Sequence, residues 1–139
     1  MPPIARTVLL VAADVAHRGR LARRLHELGC DVVTADNGAL GVLAAHEERP
    51  ALIVAESQMP IMNGYHMVEA LRSDPATEQI PVILLEAAVD DAAIARCWSH
   101  GADFCLAKGS GWSDLLLTID RTIGRIGSSD YPAPQSYAA

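Results

Sequence analysis

The stretch Ala51-Leu52-Ile53-Val54-Ala55-Glu56 decides the fold, because a run of apolar residues without alternation ends abruptly on a carboxylate. A strand with one wet face alternates apolar and polar residues. A strand that does not alternate is buried on both faces, as in a parallel sheet covered by helices. Thr7-Val8-Leu9-Leu10-Val11 and Val82-Ile83-Leu84-Leu85 have the same form, and 30–35 and the short 104–107 complete a set of five strands. Helical patterns separate them. Leu21, Leu25 and Leu28 recur at helical spacing, with Asp14 placed to cap the start and Gly29 to end the helix in a left-handed turn. Further helices are predicted over 39–48, closed by Pro50, and over 65–72, closed by Asp74-Pro75. A fourth is introduced by Asp90 and ends at Gly101, and a fifth covers 113–126 after Gly109-Ser110-Gly111. This alternation predicts an α/β fold, a (βα)5 doubly wound parallel sheet with right-handed crossovers, taken with the flavodoxin-like strand order 2-1-3-4-5. Residues 1–5 are expected to be a flexible N-terminus, 6–126 the domain, and 127–139 a disordered tail rich in turn formers.

Composition narrows the function. A chain of 139 residues fits one domain, and because half of its residues are hydrophobic but only 4% are aromatic, its core must be built from Val, Ile, Leu and Ala. A formal charge of −6 argues against a nucleic-acid footprint, and Arg18, Arg20, Arg23 and Arg24 read as the solvated face of the first helix. No apolar run approaches the ~20 residues of a membrane span, and no secretory signal is visible, so a cytoplasmic protein is expected. Cys30, Cys97 and Cys105 lack metal-ligand spacing and read as small buried hydrophobes, the sharper alternative being a redox switch between Cys97 and Cys105. The five histidines, His17, His26, His46, His66 and His100, also lack ligand spacing, and most of them are expected at the surface.

In open α/β sheets ligands bind beyond the carboxyl ends of the strands, where the strand order reverses. The residues there are Ala12, Ala13 and Asp14 after the first strand, Glu56 after the third, Glu86 after the fourth and Lys108 after the fifth. Neighbouring strand tips are ~5 Å apart, so two carboxylates and one ammonium are expected to converge.

The chain resembles a response-regulator receiver domain of the CheY-like kind over about residues 6–126. The resemblance is carried by Val8-Leu9-Leu10-Val11 with its following loop, by Glu56 with the Met59-Pro60-Ile61-Met62-Asn63-Gly64 turn, by Ile80-Pro81-Val82-Ile83, and by Gly101-Ala102-Asp103 leading to Lys108. It implies a two-component or phosphorelay role, in which an aspartate ending the third strand accepts a phosphoryl group from a histidine kinase. Acidic residues after the first strand would hold Mg²⁺, and a hydroxyl residue and a lysine would bind phosphoryl oxygens. Against that pattern Glu56 replaces the acceptor, Ala12 and Ala13 replace the acidic pair, and Glu86 replaces the hydroxyl residue. Cys105 replaces the aromatic switch residue, Gly109 stands where a proline would follow the lysine, and Lys108 is retained. A glutamate carboxyl lies one methylene, ~1.5 Å, farther out, and a misplacement of about 1 Å can cost ~100-fold in a positioned reaction. With both metal carboxylates absent, Mg²⁺ binding is expected to be lost or weak and no cofactor is expected.

The expected function is therefore that of a pseudo-receiver, a non-enzymatic single-domain response regulator that signals through protein–protein contact without phosphorylation. Glu56 is expected to pair with Lys108, either as a partial mimic of a phosphoryl group or as a relic. Two alternatives stand beside it: a rearranged acidic phosphoacceptor or metal site of Asp14, Glu56 and Glu86, and a sensor of a small molecule. Expected partners are signalling proteins, whether kinase, regulator or effector, with neither nucleic acid nor membrane. The resemblance implies that the face of the fourth helix, fifth strand and fifth helix carries contacts, including homodimerisation, with Trp98 and Trp112 as interface candidates.

Overall fold

The computed structural model describes residues 6–109 and 111–123; the segments expected to be flexible or disordered and the end of the last predicted helix lie outside the described residues. Five strands, β1 (Arg6–Val11), β2 (Cys30–Ala35), β3 (Leu52–Glu56), β4 (Val82–Glu86) and β5 (Phe104–Ala107), alternate with five helices. The helices are α1 (Val15–Glu27), α2 (Gly38–Glu48), α3 (Gly64–Arg72), α4 (Asp91–His100) and α5 (Trp112–Ile123). All strand pairings are parallel and the order is β2-β1-β3-β4-β5. This is the doubly wound, flavodoxin-like sheet read from the unalternating strands.

Successive side chains point to opposite faces of the sheet, so each central strand feeds two cores. Leu9, Val11, Ile53, Ala55, Val82 and Leu84 pack with residues of α2, α3 and α4. Val8, Leu10, Leu52, Val54, Ile83 and Leu85 pack with α1 and α5. All of these residues are at most 4% exposed, which accounts for the lack of polar alternation in the strands. Asp14, Asn37, Asn63 and Asp90 each accept a backbone N–H of the first turn of the helix that follows, satisfying an otherwise orphaned donor.

Gly101 closes α4 at φ 99°, a left-handed conformation that favours glycine. The rest of the Gly101-Ala102-Asp103 motif is also structural. Asp103 Oδ2 accepts from the Val82 N–H at 2.8 Å and from Arg72 Nη2 at 2.9 Å. Arg72 also donates to the carbonyls of Gly101, Glu78 and Ile80, so one guanidinium ties the end of α3 to the starts of β4 and β5. Arg72→Met keeps the stem but leaves three carbonyls and a carboxylate without this donor. Because Asp103 is partly exposed and can rehydrate, the expected loss is about 2 kcal/mol, read as a lower urea midpoint at unchanged slope.

Candidate functional site

The ladder itself positions the crevice. β3 and β4 each run one residue farther than the apolar pattern alone indicates, so Glu56 and Glu86 are the last residues of their strands. The turn after β3 is built to stay out of the way. Gly64 donates to the Ser57 carbonyl at 2.9 Å, and a Cβ on Gly64 would lie 2.5 Å from the Glu56 carbonyl oxygen, so only glycine fits against this strand end. Met62 donates back to the Pro60 carbonyl across Ile61 at φ 68°, a γ-turn that turns the chain sharply into α3.

Glu56 is 3% exposed, and both of its oxygens are engaged. Oε1 accepts the Ala13 N–H at 2.7 Å. Oε2 meets the Lys108 ammonium at 2.5 Å and the Nδ1 of His17 at 3.3 Å. Burial by itself would raise the Glu56 carboxyl; the Lys108 ammonium, the Ala13 N–H and His17 outweigh it and hold the carboxyl below its ordinary value of 4.5. A carboxylate taken from water is tolerated here because an opposite charge and directed hydrogen bonds replace its hydration. Arg18 reinforces the same loop by donating to the Ala12 carbonyl at 2.5 Å.

The expected convergence of two carboxylates does not occur. Glu56 lies opposite Leu85 in the β3–β4 register, so Glu86, one residue later, projects to the other face of the sheet. Its Oε2 accepts from the buried Ser57 hydroxyl at 2.9 Å and its Oε1 lies 3.8 Å from Cys97 Sγ, on the α3 and α4 side. Lys108 meets Glu86 through the backbone, its N–H donating to the Glu86 carbonyl at 2.6 Å. Asp14 does not swing inward either: it caps α1, accepting the His17 N–H at 3.0 Å, and that bond lowers its pKa. The three carboxylates of the rearranged acidic site therefore face three different environments.

Two residues of the arrangement escaped the sequence reading. His17 was given no role apart from the other histidines, yet it is largely covered, its side chain 14% exposed and aimed at Glu56. The signal was its place: in the first turn after the Asp14 cap, side chains lean back towards the helix N-terminus and hence the strand tips. Ser57, 1% exposed, follows Glu56 and shares the face of Glu86. The interface candidates separate. Trp98 is 50% exposed on α4. Trp112 is half-buried against the α1 and α5 core, with the Arg24 guanidinium 5.5 Å from its ring centre, which makes it a packing residue. Cys97 and Cys105 are free thiols, and burial raises both above their ordinary range, the reverse of what a reactive redox cysteine requires.

A doubly wound sheet with a lysine and a carboxylate paired over the tip of β4 is the arrangement that the resemblance to receiver domains implies. The sequence matches the family model described as response regulator receiver domain over residues 8–120. The chain belongs to that family. It is 30% identical over 118 residues to the protein PilH of Pseudomonas aeruginosa, covering 84% of this chain and 96% of PilH. It is 37% identical over 114 residues to the hybrid signal transduction histidine kinase D of Dictyostelium discoideum, of whose length it spans 7%. The solved structure of the Vibrio cholerae chemotaxis protein CheY4 superposes with a TM-score of 0.80 at 25% identity, covering 85% of this chain and 98% of CheY4. The chain is thus a receiver domain of signal transduction, a module that interacts with kinases, other regulators or effectors. Among the described residues no helix is long and apolar enough to cross a membrane.

Proposed function

We propose that this chain is a pseudo-receiver: a non-enzymatic signalling module that works through protein–protein contact without phosphorylation at Glu56. The observation that carries the reading is the occupancy of Glu56, whose two oxygens are taken by an N–H, an ammonium and an imidazole. For Glu56 to act as a phosphoryl acceptor, a buried oxygen would have to leave Lys108, and Lys108 would have to stabilise the incoming group at the same time. The donor set does not fit the Mg²⁺ that the family resemblance implies. Ala12 and Ala13 supply no carboxylate, Asp14 is turned to its helix, and the Ala13 N–H already fills the lone pair of Glu56 that faces the first loop.

In this reading the ion pair does permanently what a transient phosphoryl group does in a switching receiver: it draws the β5 lysine to the end of β3. Partner recognition is assigned to the α4, β5 and α5 face, where Trp98 on α4 and Leu117 on α5 are exposed large apolar residues, and where a signalling protein or a second copy would dock. The test is capture of the native partner from cell extract by the purified chain, with and without an acyl-phosphate donor and Mg²⁺. Equal capture under both conditions, and loss of capture with Trp98→Ala, is the expected result. Capture that requires the donor overturns the reading.

One observation favours a second reading, sensing of a small molecule. A cleft of about 230 Å³ opens between α1 and α5 beside the ion pair, with Arg20, Arg24 and Lys108 around a floor of Leu85, Trp112 and Leu115. Its chemistry suits an anionic ligand with a flat apolar part. A thermal-shift screen of anionic metabolites distinguishes the two: a saturable rise in midpoint that Arg20→Ala abolishes supports sensing.

A further inference from the structure

On the face of the sheet away from the ion pair, three potential metal ligands from three separate elements meet: Glu86 at the end of β4, Cys97 on α4 and Cys105 on β5. Their ligand atoms all lie within 4.8 Å of one another. The parallel register explains the juxtaposition. Cys105 lies opposite Leu84 and Glu86 opposite Ala107, so Cys105 and Glu86 are diagonal neighbours on one face. Cys97 is the buried residue of α4 that covers them. No sequence spacing announces the set, because the three residues are joined only by the β4–α4–β5 fold.

We infer that Glu86, Cys97 and Cys105 form a binding site for a thiophilic divalent cation of the zinc class. Four observations carry this. First, the size fits: at Zn–S distances of about 2.3 Å and Zn–O of about 2.0 Å, neighbouring ligands of a tetrahedral ion lie about 3.5–3.8 Å apart. The Glu86 Oε1 to Cys97 Sγ distance is already 3.8 Å. Second, the carboxylate is oriented. Ser57 holds Oε2 at 2.9 Å and leaves Oε1 turned to the thiols, the outer-shell arrangement that fixes a ligating carboxylate. Third, two sulfurs and one carboxylate select a soft or borderline ion over Mg²⁺ or Ca²⁺, which take oxygen ligands. Fourth, there is a way in. Glu86 and Cys97 are buried but Cys105 is only half-buried, so the ion enters past Cys105 and a water completes the fourth position.

The exchange balances without an oxidant. The two S–H bonds break, two sulfur–metal bonds form, and both protons leave to solvent. Two thiolates, one carboxylate and a divalent ion sum to one negative charge, and the positive charge of Arg96 acts on Cys105 to offset it. Burial that disfavours the free thiolates in the empty site is overcome by the ion's own charge. Bound there, the cation ties α4, which carries the exposed Trp98, to the tips of β4 and β5. The site shares no side chain with the Glu56 crevice, so its failure leaves the pseudo-receiver reading intact, and the converse also holds.

The test is titration of the purified, reduced chain with Co²⁺, followed by displacement with Zn²⁺. One Co²⁺ per chain is expected, with a sulfur-to-cobalt charge-transfer band and the intense visible bands of a tetrahedral ion. Cys105→Ser and Glu86→Gln should each weaken binding by about 100-fold or more. Ser57→Ala, which only frees the carboxylate, should weaken it by about 10-fold while keeping the sulfur band. Cys30→Ser, whose thiol sits in the opposite core, should bind as the wild type does. Far-ultraviolet circular dichroism checks that each variant folds, and half-buried Cys105 is the replacement least demanding of the core. Absence of a sulfur band in the wild type overturns the proposal. So does a band that survives Cys105→Ser in the folded variant, or a chain that forms a Cys97–Cys105 disulfide in air yet takes up no metal when reduced.

Discussion

Replacing Lys108 with methionine is expected to lower the free energy of unfolding by about 2–3 kcal/mol at neutral pH, which breaking a buried pair predicts once the exposure of one partner is discounted. The asymmetry of the pair sets the figure. The Glu56 side chain is 4% exposed, whereas that of Lys108 is 36% exposed. Removing the ammonium leaves a buried carboxylate with the Ala13 N–H and His17 as its described partners, so the charge is poorly compensated and its pKa must rise. Methionine retains most of the stem, which separates loss of charge from loss of packing. Equilibrium urea unfolding supplies the number. The same variant reports on function: a lysine that fixes the crevice in one state should, when removed, change partner capture at a temperature where the variant is still folded. Glu56→Gln is expected to cost less at neutral pH, because the half-exposed ammonium can return to water.

The second expected effect is in acid. The folded-state pKa of Glu56 is depressed below its ordinary value of 4.5, with burial opposing the shift and the Lys108 ammonium chiefly producing it. A depressed carboxylate contributes stability that is fully present above the unfolded pKa and is lost as pH falls through the folded one. The wild type should therefore lose this contribution below about pH 5, with a slope of up to about 1.4 kcal/mol per pH unit from this single group. Glu56→Gln cannot take up that proton. The difference in stability between wild type and Glu56→Gln should accordingly be largest near neutrality and shrink steadily into acid. Urea midpoints of both proteins across pH 3–7 check it, since the remaining carboxylates titrate alike in both.

Much of the architecture was legible because burial on both faces leaves a plain mark. Leu52–Glu56 and Val82–Glu86 carry no polar alternation, the helix caps Asp14 and Asp90 are of the expected types, and the glycine ends at Gly29 and Gly101 do adopt positive φ. The Glu56–Lys108 contact was legible from topology, since strand order brings the tips of β3 and β5 to either side of β4. Glu86 was not. Whether its carboxylate joins Glu56 or turns away depends on a one-residue offset between β3 and β4, and register is a property of the paired strands. The same offset that removes Glu86 from the crevice delivers it to Ser57, Cys97 and Cys105. His17 was hidden for a different reason: a lone histidine in a polar helix start looks solvated until the strand tip it leans over is known. Of the two interface candidates, Trp112 was the one already expected to pack at home, at the start of the last helix, and it lies against the α1 and α5 core with the Arg24 guanidinium over its ring.

Glu56, held by Lys108, His17 and the Ala13 N–H, is expected not to accept a phosphoryl group. Intact-mass measurement after incubation with a small acyl-phosphate donor and Mg²⁺ tests it most directly. A mass identical to that of the untreated chain is expected at every donor concentration, and a stoichiometric adduct of one phosphoryl group that Glu56→Gln abolishes would overturn the pseudo-receiver reading.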